Sequence, residues 1–196
     1  VSNNSNNFAK KPSDPRKLFF VALLPPTDLQ AEITEIKQYF AREYQSSHAL
    51  KSPPHITLYP PFKWLPENLP QLNQCLCEFA ANYAPIPVTL DGFGAFAPRV
   101  IFIHPLKTPE LMTLQGDLMG YLASNLGLVD ERSKNQSFAP HITVAFKDLT
   151  PSAFKAAWPK FRDRPFSTQF TAHNLTLLIH DRQRWNICSQ FPFLQS

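Results

Sequence analysis

Apolar and polar positions along the chain follow two periods, and each change of period marks an element. Lys17 to Leu24 is a short unbroken apolar run closed by Pro25-Pro26, which predicts a buried strand. Leu29, Ile33, Ile36, Phe40 and Tyr44 then recur near the helical period and predict a helix over about 28–44. Thr27 and Gln30 have the spacing of a capping box at its start. His48 to Pro54 connects to a strand at 55–59, which Pro60-Pro61 should stop. Pro66 introduces a second helix, about 67–83, with Leu69, Leu72, Leu76, Phe79 and Tyr83 on one face. Ile86 to Phe96 reads as a strand, in which Gly92 and Gly94 suggest a bulge or a close backbone approach. After a turn at Ala97-Pro98, Arg99 to His104 alternates as the second arm of a hairpin.

The second half has the same order. Thr108-Pro109 opens a helix with a stripe of Leu111, Leu114, Leu118, Leu122 and Leu126, and Gly127 closes it. A polar stretch, Asp130 to Ser137, leads to a strand at 141–146. Thr150-Pro151 caps a further helix with Phe154, Trp158 and Phe161 inward. A strand lies within Phe166 to Ile179, and the last one within Arg184 to Phe193. The two halves, about 28–105 and 109–193, are thus repeats of one unit. They predict two lobes of mainly antiparallel sheet with helices on the outer faces, an α+β fold. The strand at 17–24 falls outside the repeat. It is expected to join the sheet of the second lobe and tie the chain ends together. Residues 1–14 are polar, lack periodicity, and predict a flexible tail before a single domain over 15–196.

Within the repeat, one five-residue pattern occurs twice. Pro54-His55-Ile56-Thr57-Leu58 is matched by Pro140-His141-Ile142-Thr143-Val144. Residues two apart on a strand share a face. His55 and Thr57 should therefore point one way and Ile56 and Leu58 the other, and likewise His141 and Thr143 against Ile142 and Val144. If the two polar faces meet across a groove, the site holds two imidazoles and two hydroxyls. That set suits phosphodiester chemistry. One imidazole removes a proton from the attacking oxygen and the other protonates the departing one. The hydroxyls donate to the nonbridging phosphate oxygens as charge builds. No metal or cofactor is needed. A lone strand histidine is usually structural, and threonine is at home in strands. Duplication at matched register favours function for His55 and His141, and the shared face favours it for Thr57 and Thr143. Tyr59 would share the same face of the first strand and Phe146 lies just past the second, so both are candidates to contact substrate.

Composition narrows the classes. Hydrophobic residues at 43% and charged residues at 17% fit a globular chain of 196 residues, not a disordered one. A net charge of +4 suits an anionic substrate, but the excess is modest and is weak evidence for nucleic acid. Cys75, Cys77 and Cys188 are odd in number and form no disulfide framework, so they read as core thiols in a reducing compartment. No run reaches membrane-spanning length and no signal-peptide pattern opens the chain, so a cytoplasmic protein, acting as a monomer, is expected. His48, His104, His173 and His180 have no matched partner and read as surface or structural. Phe20 and Phe102 read as core, although one could reach the groove as a platform for a base. Arg99 and Arg184 each open a strand after a hairpin turn and could supply charge near a phosphate.

The paired His-x-Thr strands in a chain of this length resemble the two-histidine phosphoesterase superfamily, in particular its 2′-5′ RNA ligase and cyclic phosphodiesterase-like branch. Leu18 to Pro25 and Phe93 to Val100 are also similar to the opening strand and mid-chain hairpin of that branch. The resemblance covers roughly 17–193. It implies a bilobal fold with pseudo-twofold symmetry about a central groove. It also implies metal-independent action on RNA 2′,3′-cyclic phosphates, 2′-5′ linkages or related cyclic nucleotides. His55 and His141 match its catalytic histidines, and Thr57 and Thr143 its phosphate-binding residues. By analogy His141 takes the base role and His55 the acid role. RNA-acting members often carry an arginine shortly after the second motif. Phe146 and Lys147 stand there instead. A module that binds nucleotides or RNA ends without turnover, and RNA ligation by the reverse reaction, are the alternatives.

Overall fold

The structure is a computed structural model that describes residues 14–131 and 136–194. The tail expected over 1–14 lies outside them apart from Asp14, as does the middle of the polar stretch before the second motif. In chain order the strands and helices are β1 (Lys17–Leu23), α1 (Thr27–Tyr44), β2 (Ile56–Trp64), α2 (Leu69–Ala80), β3 (Ile86–Phe96), β4 (Val100–Pro105), α3 (Pro109–Leu126), β5 (Ile142–Ala145), α4 (Pro151–Phe161), β6 (Ser167–Ala172), β7 (Asn174–His180) and β8 (Trp185–Pro192). Short 3₁₀ turns at His48–Lys51 and Pro66–Asn68 precede β2 and α2. The strands form two four-stranded antiparallel sheets, in the orders β2-β1-β7-β8 and β5-β4-β3-β6. The fold is α+β, as the alternating periods predict.

The path of the chain through the sheets differs from the one expected. Each sheet draws on both halves of the sequence. β3 leaves the first motif's side and pairs with β4 and β6, while β7 returns to pair with β1. The strand at 17–24 is therefore no appendage. It lies between β2 and β7, in the place that β4 holds between β5 and β3. The repeat begins with β1 and β4, and Phe102 lies 82 residues after Phe20 as Leu118 lies 82 after Ile36. Arg99 and Arg184 consequently do not correspond. Arg99 leads into β4, an inner strand, and Arg184 into β8, an outer one. The segment expected to contain one strand, Phe166 to Ile179, contains two, divided at His173 and placed in different sheets.

Local chemistry accounts for the element ends. Thr108 and Thr150 accept from the backbone N–H of Leu111 (3.3 Å) and Ala153 (3.2 Å), capping α3 and α4. Gly127 takes the left-handed conformation (φ 65°) that ends α3. The capping box at Thr27 does not form. Thr27 is already inside α1, and the Gln30 side chain donates back to the Pro25 carbonyl at 2.8 Å. β2 runs through Pro60-Pro61 to Trp64, because β2 is an outer strand and prolines on its open side forfeit no ladder bond. Gly92 (φ 68°) sits where the β3–β4 register shifts, and a Cβ on Gly94 would collide with the Phe102 ring. One continuous core of buried side chains contains residues from both sheets and all four of these helices. Cys75 is buried on α2 and Cys188 is half-buried against the core, but Cys77 is exposed and is not a core thiol.

Candidate active site

The two motifs occupy matching places. Each histidine stands one residue before an outer strand, His55 before β2 and His141 before β5. Ile56, Leu58, Ile142 and Val144 are buried in the core, at most 1% exposed. Strand alternation then turns His55, Thr57, His141 and Thr143 to the opposite side, where all four line one cavity of about 640 Å³. Thr57, Phe96 and His141 also line an adjoining cavity of about 730 Å³ that runs along α3 and includes Gln115 and Met119.

Both imidazoles are held in the same way. His55 Nδ1 lies 2.7 Å from the Pro53 carbonyl, and His141 Nδ1 lies 2.7 Å from the Ala139 carbonyl. A carbonyl only accepts, so Nδ1 carries the hydrogen in each ring and Nε2 is left for the groove. Aromatic rings support both histidines from beneath. Phe20 on β1 packs on His55 with centroids 4.7 Å apart, and Phe102 on β4 packs on His141 at 5.5 Å, joined by Phe96 at 5.2 Å. Burial lowers the pKa of both imidazoles. It brings His55 down to about 4, opposed by the bond to Pro53 and reinforced by the charges of Lys37 and His141. His141 is also lowered by burial, against the Ala139 bond.

Of the other candidates, Phe146 lines the cavity and packs edge-on against His48 at 5.0 Å. Tyr59 does not join them. Ala22 pairs with Thr57 while Val21 pairs with Tyr59, so β2 carries an extra residue at Leu58. That bulge reverses the alternation and turns Tyr59 into the core, 2% exposed and edge-on to Phe62. Arg99 is exposed and lines neither cavity, and Arg184 borders a smaller recess behind His55. His48 and His180, expected to be surface or structural residues, line the cavity, as do Lys51, Lys147, Arg182 and Trp185. No sequence signal short of the sheet order brings these together. Phe20 and Phe102 had one: their shared spacing of 82 residues.

Asp148 fixes the groove wall across the two halves. Its carboxylate accepts from the Ser46 hydroxyl (2.9 Å), the Ser47 N–H (2.9 Å) and the His48 N–H (2.8 Å). Ser46 is fully buried. Asp148→Ala leaves that hydroxyl without its acceptor and frees the turn carrying His48 and Lys51. The expected loss is about 2–3 kcal/mol in urea unfolding, since hydrogen bonds to a charged group are worth about 1.5–3 kcal/mol each and are not additive. A loss under about 0.5 kcal/mol, the scale of an ordinary surface change, would show that the latch is ornamental.

A profile of the 2′-5′ RNA ligase superfamily matches residues 25–184, and the chain belongs to that superfamily. Among similar proteins, one from Bacillus pumilus that carries a phosphoesterase name is 33% identical over 129 residues, spanning 65% of this chain and 68% of its own. One from Geobacillus kaustophilus, also named as a phosphoesterase, is 25% identical over 175 residues, 87% of this chain and 93% of its own. In structure, TT0787 of Thermus thermophilus superposes with a TM-score of 0.66 at 20% identity over 90% of this chain and 97% of its own. Escherichia coli LigT complexed with 3′-AMP superposes with a TM-score of 0.63 at 20% identity, over 92% and 99%. These two likenesses concern the fold. Among the described residues, no helix is long and apolar enough to cross a membrane.

Proposed function

We propose that this chain is a metal-independent phosphodiesterase acting on a nucleotide or RNA-end phosphodiester, such as a 2′,3′-cyclic phosphate or a 2′-5′ linkage. The observation that carries this reading is the matched anchoring of two imidazoles. Each has Nδ1 tied to a carbonyl and Nε2 left for one cavity that also holds two threonines. One neutral imidazole takes the proton of an attacking water, and a protonated one delivers a proton to the departing oxygen. The hydroxyls of Thr57 and Thr143 donate to the nonbridging oxygens. Both proton jobs fall to side chains, so no metal enters the step.

The walls support a nucleotide. Lys51, Lys147 and Arg182 bring cations to the cavity, and no carboxylate is among its described lining residues. Phe96, Phe146 and Trp185 offer faces or edges for a base. Phe146 stands where an arginine is common in the resembling branch, so a ring contact replaces a charged one. The adjoining cavity gives room for a second nucleoside beyond the phosphate. LigT has been crystallised with 3′-AMP, NADP⁺ and ATP, which agrees with a nucleotide-sized groove in a fold of this kind.

Purified protein in EDTA is expected to open nucleoside 2′,3′-cyclic phosphates or to cleave 2′-5′ dinucleotides in a product-resolved panel. Tight nucleotide binding with no turnover across that panel would favour the binding-module reading instead. Turnover abolished by EDTA and restored by a divalent metal would overturn the acid–base mechanism.

A further inference from the structure

The pseudo-twofold relation equates α1 with α3. Leu29, Ile36 and Phe40 correspond to Leu111, Leu118 and Leu122, each pair 82 residues apart, and all six are buried. In that register Lys37 corresponds to Met119. Helix α1, which reaches the loop leading into the first motif, therefore carries an ammonium where α3 carries a thioether.

Lys37 is 2% exposed, and its ammonium donates to the Ser52 carbonyl at 3.0 Å. The next residue, Pro53, supplies the carbonyl that holds His55 Nδ1. Lys37 thus braces the short loop that orients this histidine. Among the described residues no carboxylate pairs with Lys37; desolvation is then costly for a lysine, and burial brings its pKa down to about 7. Burial is the largest influence on both rings, opposed at each by its carbonyl bond; at His55 alone the Lys37 charge adds to it. Phe20 faces His55 from β1, Lys37 from α1 and His141 from the start of β5. His48, Lys51, Lys147, His180 and Arg182 line the same cavity.

We propose that Lys37 is a positioning residue that makes the two histidines unequal: fixed beneath the Ser52-Pro53 loop, its ammonium keeps His55 unprotonated and sends the proton shared by the pair to His141. This rests on the acid–base reading of the pair. An anionic phosphodiester in the groove raises the proton affinity of both imidazoles, and two interacting sites then share protons as a unit. The cation beside His55 adds to that ring's burial and tilts the shared proton towards His141. His55 then takes the proton of the attacking water as its oxygen bonds to phosphorus. The bond from phosphorus to the leaving oxygen breaks, and that oxygen takes the proton of His141. One proton is gained and one given, and exchange with solvent resets the pair. The role assignment is the reverse of the one that resemblance suggests.

The test reads protonation without turnover. In NMR titrations of the labelled full chain, His55 should take up its proton at lower pH than His141. In Lys37→Met, which installs the residue of the other half, the His55 midpoint should rise by about half a unit or more, while the His141 midpoint stays in place. The acid limb of kcat/KM should move up with it. A brace with no electrostatic role would leave the His55 midpoint where it is. A wild-type His55 that titrates at or above His141, or a Lys37→Met His55 that does not move, overturns the proposal. If Lys37→Met does not fold, the wild-type order decides, and Lys37→Gln repeats the comparison with a neutral donor to Ser52. A protein that shows these titrations but turns over nothing would sink the proposed reaction and leave the inequality of the histidines standing.

Discussion

His55→Gln and His141→Gln should each lower kcat on the best phosphodiester substrate by about 10²–10⁴-fold, with KM little changed. Each ring sits at the rim of the same cavity, with Nε2 as its only nitrogen left to act. Removing either leaves one proton without a carrier in the transition state. On the proposed mechanism, ground-state binding falls to the threonines, cations and aromatic rings that line the cavity and should be largely spared. The double variant should be barely slower than the slower single one, because residues that act as a unit are strongly non-additive. Thr57→Val and Thr143→Val should cost less, about tenfold to a hundredfold each, since Lys51, Lys147 and Arg182 also line the cavity and can donate to a phosphate. Full activity in both histidine variants would remove the two-histidine mechanism altogether.

Lys37→Met should stabilise the protein by about 2–4 kcal/mol near neutral pH, measured by urea unfolding. Burial brings the lysine down from 10.5 in the unfolded chain to about 7 in the folded one. The folded state therefore binds fewer protons between those two values. The stability contribution is complete above pH 10.5 and is lost as pH falls towards 7, so the wild type carries its deficit at neutral pH. Methionine fills similar volume without a charge, and helix α3 already accepts it at the corresponding position. The advantage of the variant should shrink as pH rises towards 10.5, apart from the lost bond to Ser52. A destabilised variant with the same deficit at both ends of that range would show that the ammonium is well accommodated. The expected outcome has a functional meaning: a residue that lowers stability at a site next to a histidine is one whose charge serves something other than folding.

The linkage runs the same way for His55. A folded-state pKa of about 4 against an ordinary value of 6.5 means that protonation opposes folding, and stability falls as pH drops from 6.5 towards 4. Burial thus works against protonation of both rings in the empty groove, and an anion in the groove would oppose it.

The sequence by itself determined most of the elements and which side chains share a face. Burial on one side of a helix or strand leaves a local period, and Leu111, Leu114, Leu118 and Leu122 or the pair Ile142 and Val144 show it without reference to any partner. For the same reason His55 with Thr57, and His141 with Thr143, could be placed on one face each. Only the tertiary structure decided what those faces meet. The bulge at Leu58 that removes Tyr59 from the groove, the outer position of β2 that tolerates Pro60-Pro61, and the exchange of β3 and β7 between sheets are all properties of strand pairing. Pairing is chosen among distant segments by backbone hydrogen bonding and by the volume left in the core. A local pattern records that a side chain is buried, and not against which neighbour. Phe20 and Phe102 read correctly as buried residues. That they lie beneath two histidines, with a lysine behind only one of them, emerged when the chain closed on itself.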